Sequence, residues 1–138
     1  MIERTLGIIK PDAVRAGNSG KIIDIIEKSG LEIVAMKKIS LSKDQAEVFY
    51  EVHKDKPFYD SLTKFMSDGK VVPMVIQGDD AIKRYRQIMG ATDSSKAEKG
   101  TIRNLCGTDI EHNAVHGSDA PETAKDELGF FFCGYELI

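Results

Sequence analysis

Two short, unbroken apolar runs, Thr5–Lys10 and Val71–Gln77, constrain this chain most. Each reads as a buried strand, too short for a helix and too apolar for a loop. Pro11 stops the first, and Asp12 is placed to cap a brief turn through Ala13 and Val14. Pro73 inside the second is tolerable at an edge or a bulge. Between the runs, Ile22, Ile25 and Ile26 recur at helical spacing after Asn18-Ser19, and Gly30 closes that helix. Leu31–Leu41 is the best long strand. Ser42 then caps a helix with Ala46, Phe49 and Tyr50 on one face. His53–Pro57 interrupts it, and Phe58–Met66 resumes the helical pattern. After the second run, Asp79 or Asp80 caps a helix carrying Ile82, Tyr85, Ile88 and Met89, which ends at Gly90. Ala114–His116 is a short strand. A last helix starts near Ala120, with Ala120, Ala124, Leu128 and Phe131 as its apolar stripe. This order predicts an α+β fold: a ferredoxin-like, four-stranded, mostly antiparallel sheet with helices packed on its faces.

A length of 138 residues suits one domain, residues 1–138, with a core that needs neither metal nor disulfide. The net charge of -3 gives no global nucleic-acid footprint, and no sequence-specific nucleic acid is expected as a partner. There is no signal-like segment and no apolar run of membrane-spanning length, so a cytoplasmic protein is expected. Cys106 and Cys133 are far apart and read as reduced thiols.

The chemistry concentrates near Asn113–Asp119. His116 is followed by Gly117, by two good capping residues, Ser118 and Asp119, and by a helix start, where outward N–H groups favour anions. Before it, Ala91–His112 has no sustained period over about 20 residues, and loops of that length in compact domains are usually functional or disordered. A turn histidine is the commoner role for a lone imidazole, but this setting favours phosphate chemistry at His116. His112 lies four residues earlier, yet the non-helical context and the lack of a third ligand weaken a metal reading. His53, among charges, reads as a solvated surface residue. Glu127 borders the inward face of the last helix and could orient an imidazole or simply reach water; spacing leaves both open. Lys10 at a strand end, Arg86 on a helix and Arg103 in the long loop are phosphate-binding types that spacing cannot bring together.

Glu3-Arg4-Thr5, Ile9-Lys10-Pro11-Asp12, Lys56-Pro57-Phe58, Gly90-Ala91-Thr92, Gly100-Thr101-Ile102-Arg103 and Asn113-Ala114-Val115-His116-Gly117-Ser118-Asp119 occur in the order and spacing of one family. The chain resembles the nucleoside diphosphate kinases from about Glu3 to Phe132. The resemblance implies ping-pong transfer of a γ-phosphoryl group from a nucleoside triphosphate to a nucleoside diphosphate. His116 matches the nucleophile, phosphorylated on Nδ1, and Ser118 and Glu127 match the residues that orient its ring. Arg86, Thr92 and Arg103 match phosphate-binding positions. Lys10 and Asn113 match sugar-binding ones, with Lys10 also near the transferring phosphate and Tyr50 near the histidine. Phe58 stacks on the base opposite Ile110, which implies little base selectivity. Mg²⁺ is implied as cofactor, held mainly by the nucleotide phosphates, with Asp119 reaching it through water.

The sequence departs from the family pattern at Asp93-Ser94, where a loop proline is absent, and at Leu105-Cys106, in place of an acidic-aromatic pair. The chain also ends soon after the last helix. These features bear on assembly: a homo-oligomer built from dimers is implied, with tetramer or hexamer left open. Against the enzyme stand an RNA-binding sheet, disfavoured by the acidic balance, and a nucleotide binder without catalysis, disfavoured because every active-site position is retained.

Overall fold

The computed structural model describes residues 1–137. Five strands, β1 (Ile2–Ile9), β2 (Glu32–Met36), β3 (Ile39–Ser40), β4 (Lys70–Asp79) and β5 (Val115–Gly117), pair antiparallel. The main sheet runs β2-β4-β1-β5, and β3 pairs separately with β4. The helices are α1 (Pro11–Arg15), α2 (Ser19–Lys28), α3 (Lys43–Phe49), α4 (Tyr59–Met66), α5 (Ala81–Met89), α6 (Ile102–Cys106) and α7 (Pro121–Phe131). The α+β sandwich predicted from the element order is present, with one more short strand.

Strand alternation divides the core in two. Ile9, Val72, Met74 and Ile76 pack with Ala13, Ile22, Ile26, Tyr85 and Ile102, from α1, α2, α5 and α6. Leu6, Ile8, Val71 and Val75 pack with Ala46, Leu62, Phe65, Leu128 and Phe131, from α3, α4 and α7. Each fully buried Leu or Ile contributes about 1.5–3 kcal/mol relative to exposure, so the double-sided coverage of β1 and β4 dominates the stability.

Leu31–Leu41 is two strands, not one. The Pro73 carbonyl accepts from Lys37 N–H at 3.2 Å, at the gap between β2 and β3. A residue's N–H and C=O lie on the same side of a strand, so Pro73 directs its missing donor into that gap. An internal strand thus tolerates proline because its neighbour breaks there.

Ser42 caps α3 through a reciprocal box with Gln45, as its local sequence predicts. Other caps differ. Asp80 adopts φ 53 and gives no side-chain cap to α5; instead Glu3 of β1 accepts from the Ile82 N–H at 2.9 Å. Asp12 lies inside α1, and its carboxylate accepts from the Ala114 N–H. Neither Ser118 nor Asp119 caps α7, where Ala120 holds that position and its N–H is satisfied by Thr123 Oγ1 at 3.0 Å. The featureless loop contains a turn at Ser94–Lys96 and α6, capped by Asp93 and Thr101.

Candidate active site

A cleft of about 700 Å³ opens between β5, α7, the end of α3 and the long loop. Lys10, Tyr50, Phe58, Arg86, Thr92, Arg103, Ile110, Asn113, His116, Asp119 and Glu127 all line it. Ser118 does not; it lies buried behind the histidine.

His116 pairs with Ile8 across β5 and β1, and β1 pairs in turn with β4. The neighbouring Gly7 and Gly117 meet on the opposite face, where α5 packs against bare backbone. A Cβ at Gly7 would lie 2.9 Å from Tyr85 Oη, and one at Gly117 would lie 2.9 Å from Tyr85 Cε2. The Tyr85 hydroxyl donates to the His116 carbonyl at 3.2 Å. The nucleophile-type side chain therefore stands on a strand clamped from behind.

His116 Nε2 lies 2.8 Å from Glu127 Oε1, and Ser118 Oγ donates to the same oxygen at 2.8 Å. Ser118 Oγ in turn accepts from the Leu6 N–H at 3.3 Å. Burial disfavours the Glu127 anion, but these hydrogen bonds and the imidazole charge outweigh it and hold the carboxyl below its usual range. In the neutral ring, an ionised acceptor at Nε2 favours the proton on that nitrogen and a lone pair on Nδ1. Spacing leaves open whether Glu127 reaches water or an imidazole; its carboxylate lies against the His116 ring. The contact of the ring with α7 is through Glu127, in the second half of that helix. The rings of Phe49 and Tyr50 meet the imidazole edge-on, at centroid distances of 5.5 and 6.3 Å.

Positive charge comes from three directions. Lys10, at the end of β1, is buried and donates to Asn113 Oδ1 at 2.9 Å. Its burial, reinforced by repulsion from Arg103, lowers its pKa to about 8. Arg103 donates to the carbonyls of Gly90 at 3.1 Å and Val115 at 2.9 Å, while its buried Nε has no partner among the described residues. Arg86 pairs with Asp119 at 2.8 Å at the exposed edge of the cleft. Asn113 Nδ2 ties down the Thr92 and Ile110 carbonyls at 3.0 and 3.1 Å, which joins the long loop to the site. The buried Tyr50 hydroxyl has no acceptor among the described residues, and burial raises its pKa so that it stays a neutral donor. Phe58 and Ile110 remain exposed, apolar surfaces within the same cleft.

Sequence reasoning missed three contributors. His53 is not a simple surface residue: it lines the cleft, stacked on Tyr50 and 5.4 Å from Phe58. Periodicity marks Tyr85 only as helix core, although glycines inside Thr5–Lys10 and at 117 signal close backbone approach. Local sequence marks Asp12 only as a cap. His112 lies outside the cleft, packed on Phe65 and bonded to Asp109, and no cluster of three metal-ligating side chains exists among the described residues.

Sheet and cleft together define an α+β protein with a carboxylate-paired histidine in a cleft that also gathers Lys10, Arg86 and Arg103. Comparison with known proteins gives the family. Residues 3–137 match the family model described as nucleoside diphosphate kinase. The nucleoside diphosphate kinase of Persephonella marina is 55% identical over 99% of this chain and 98% of its own length. That of Acidiphilium cryptum is 57% identical over 99% and 97%. Among solved structures, the Aquifex aeolicus nucleoside diphosphate kinase superposes with a TM-score of 0.97 at 46% identity, covering both chains fully. A halophilic one from Halobacterium salinarum, in complex with CDP, gives 0.94 at 40% identity over 99% of this chain and 91% of that one. The chain belongs to the nucleoside diphosphate kinase family. It is a phosphotransferase that moves the γ-phosphoryl group of a nucleoside triphosphate to a nucleoside diphosphate.

Proposed function

We propose that this transfer runs through His116. One observation carries the reading: Glu127 engages Nε2, so the unprotonated Nδ1 belongs to a ring that lines the cleft. Nδ1 attacks the γ-phosphorus, the bond to the bridging oxygen breaks, and its electron pair leaves on the nucleoside diphosphate. A terminal phosphate oxygen of the acceptor then attacks the same phosphorus, the Nδ1–P bond breaks, and the neutral ring returns. Glu127 balances the positive charge of the phosphorylated ring, and Ser118 fixes the carboxylate. Lys10, Arg86 and Arg103 offset charge on the phosphoryl oxygens, with Thr92 beside them. Tyr50 supplies a neutral O–H near the imidazole. Lys10 and Asn113 serve the sugar hydroxyls. Phe58 stacks on the base with Ile110 across from it, a contact that any base satisfies.

The lining residues fit Mg²⁺ brought in by the nucleotide. Asp119 is an exposed carboxylate at the rim, shared with Arg86, and suits a contact through water better than a full ligand set. The ion, when bound, neutralises phosphate charge. The same reading takes residues 1–138 as one catalytic domain, cytoplasmic, assembled from dimers into a tetramer or hexamer. No helix among the described residues is long and apolar enough to cross a membrane. The open edge of β2, with exposed Met36, supports self-association. Native mass measurement distinguishes tetramer from hexamer.

Initial-rate kinetics test the route. Varying both nucleotides should give parallel double-reciprocal lines, and a nucleoside triphosphate with no acceptor should release its diphosphate in a burst stoichiometric with the enzyme. Intersecting lines with no burst would overturn it. His116→Gln should abolish both the burst and the turnover.

A further inference from the structure

The Asp12 carboxyl leaves its own helix to hold another segment. Ala114 is gripped at both polar groups: its carbonyl accepts from the Lys10 N–H at 2.8 Å, and its N–H donates to Asp12 Oδ2 at 3.1 Å. Ala114 adopts φ 72 while fully buried, a left-handed conformation that is unfavourable for a residue with a Cβ. Strain of that kind persists only where neighbours impose it. Three site residues hang on this turn. Asn113, just before it, accepts from Lys10 Nζ; Val115, just after it, offers the carbonyl that anchors Arg103; His116 follows.

Asp12 also faces the electrostatic problem of Lys10. That ammonium is buried and repelled by Arg103, while Asp12, Glu111 and Asp109 attract it. Asp12 is the member of this set fixed inside the fold, because Oδ2 is bonded to Ala114 and Oδ1 is buried without a partner among the described residues. Asp109, by contrast, is engaged by His112 and the loop backbone, and Glu111 by Ser61.

We propose that Asp12 is a positioning residue for phosphoryl transfer, which holds the left-handed turn at Ala114 and balances the buried Lys10 ammonium. This rests on the reading of Lys10 as a cation toward the phosphates. The ammonium is the active form, so kcat/KM falls as pH rises through the Lys10 value of about 8.

Two substitutions separate the two roles. Asp12→Asn keeps an oxygen for the Ala114 N–H and removes the charge. Asp12→Ala removes both. Profiles of kcat/KM from about pH 6 to about 10 should show the alkaline limb of Asp12→Asn moved down by about half a unit to one unit, with near wild-type values at the acid end. Asp12→Ala, checked for folding by circular dichroism, should lose about tenfold or more across the whole range. A limb for Asp12→Asn that superposes on the wild type would overturn the charge role, and full kcat/KM in Asp12→Ala would overturn the turn-holding role. Lys10→Ala distinguishes the failures. If it leaves kcat/KM unchanged, the reading of Lys10 fails and Asp12 with it; if it costs activity while both Asp12 variants match the wild type, Asp12 alone is refuted.

Discussion

Replacing Glu127 by Gln probes the contact on which the proposed route through His116 depends. Glu127 Oε1 receives His116 Nε2 and Ser118 Oγ, both at 2.8 Å. A hydrogen bond to a charged acceptor contributes about 1.5–3 kcal/mol, and one between neutral groups about 0.5–1.5. The amide therefore gives up about 1–1.5 kcal/mol as the ring gains positive charge, a slowing of about five- to tenfold. The amide can also turn its NH₂ toward the ring, which makes Nε2 an acceptor and moves the proton to Nδ1, the attacking nitrogen. An even mixture of the two orientations adds about a further factor of two, so about ten- to twentyfold is expected. Quench-flow phosphorylation by a nucleoside triphosphate reads this step directly, with nucleotide Kd measured separately and expected to hold. A rate within about twofold of wild type, or a loss confined to Kd, would refute the tautomer argument. Stability gives a second readout. The Glu127 carboxyl is held below its ordinary value of 4.5, so its contribution is complete above that pH and is lost as pH falls through the lower folded value. Glu127→Gln should flatten the acid limb of a stability profile in that window.

Phe58→Ala should raise KM for all nucleotides alike, by about fivefold, since stacking contributes about 1–3 kcal/mol and this ring is half exposed; a loss for one base alone would contradict stacking. Gly117→Ala should lower Tm by about 3–10 °C, because the added Cβ meets the Tyr85 ring at 2.9 Å and overpacking costs about 1–3 kcal/mol. An unchanged melting curve would show that α5 does not buttress β5. Nucleotide binding at about pH 8 should take up a fraction of a proton, since Lys10 titrates there and phosphate favours its charged form. Calorimetry in buffers of different ionisation enthalpy measures that uptake, and Lys10→Ala should remove it.

What could be read from the sequence was what is local. The Ser42–Gln45 box spans four residues, and it forms as its spacing predicts. The cap of α5 does not, because its acceptor, Glu3, lies on the neighbouring strand β1, 79 residues away along the chain. Leu31–Leu41 looked continuous because the cause of its break, Pro73, lies on the partner strand. The site divides the same way. Family spacing pointed to the lining residues, but the Lys10–Asn113 and Ala114–Asp12 contacts join segments about a hundred residues apart. His53 sits among charges in the chain, yet the turn at Glu51–His53 brings it into the cleft. Periodicity carries no such information.

The most direct measurement is the position of the phosphoryl group on the protein. Brief incubation with a γ-labelled nucleoside triphosphate and Mg²⁺, followed by alkaline digestion and phosphorus NMR, should find one phosphohistidine, on Nδ1 of His116. The label should transfer to added nucleoside diphosphate and be absent from His116→Ala. Phosphate on Nε2, on another residue, or on no residue at all would contradict the proposed route, in which Glu127 holds Nε2 and Nδ1 is the nucleophile.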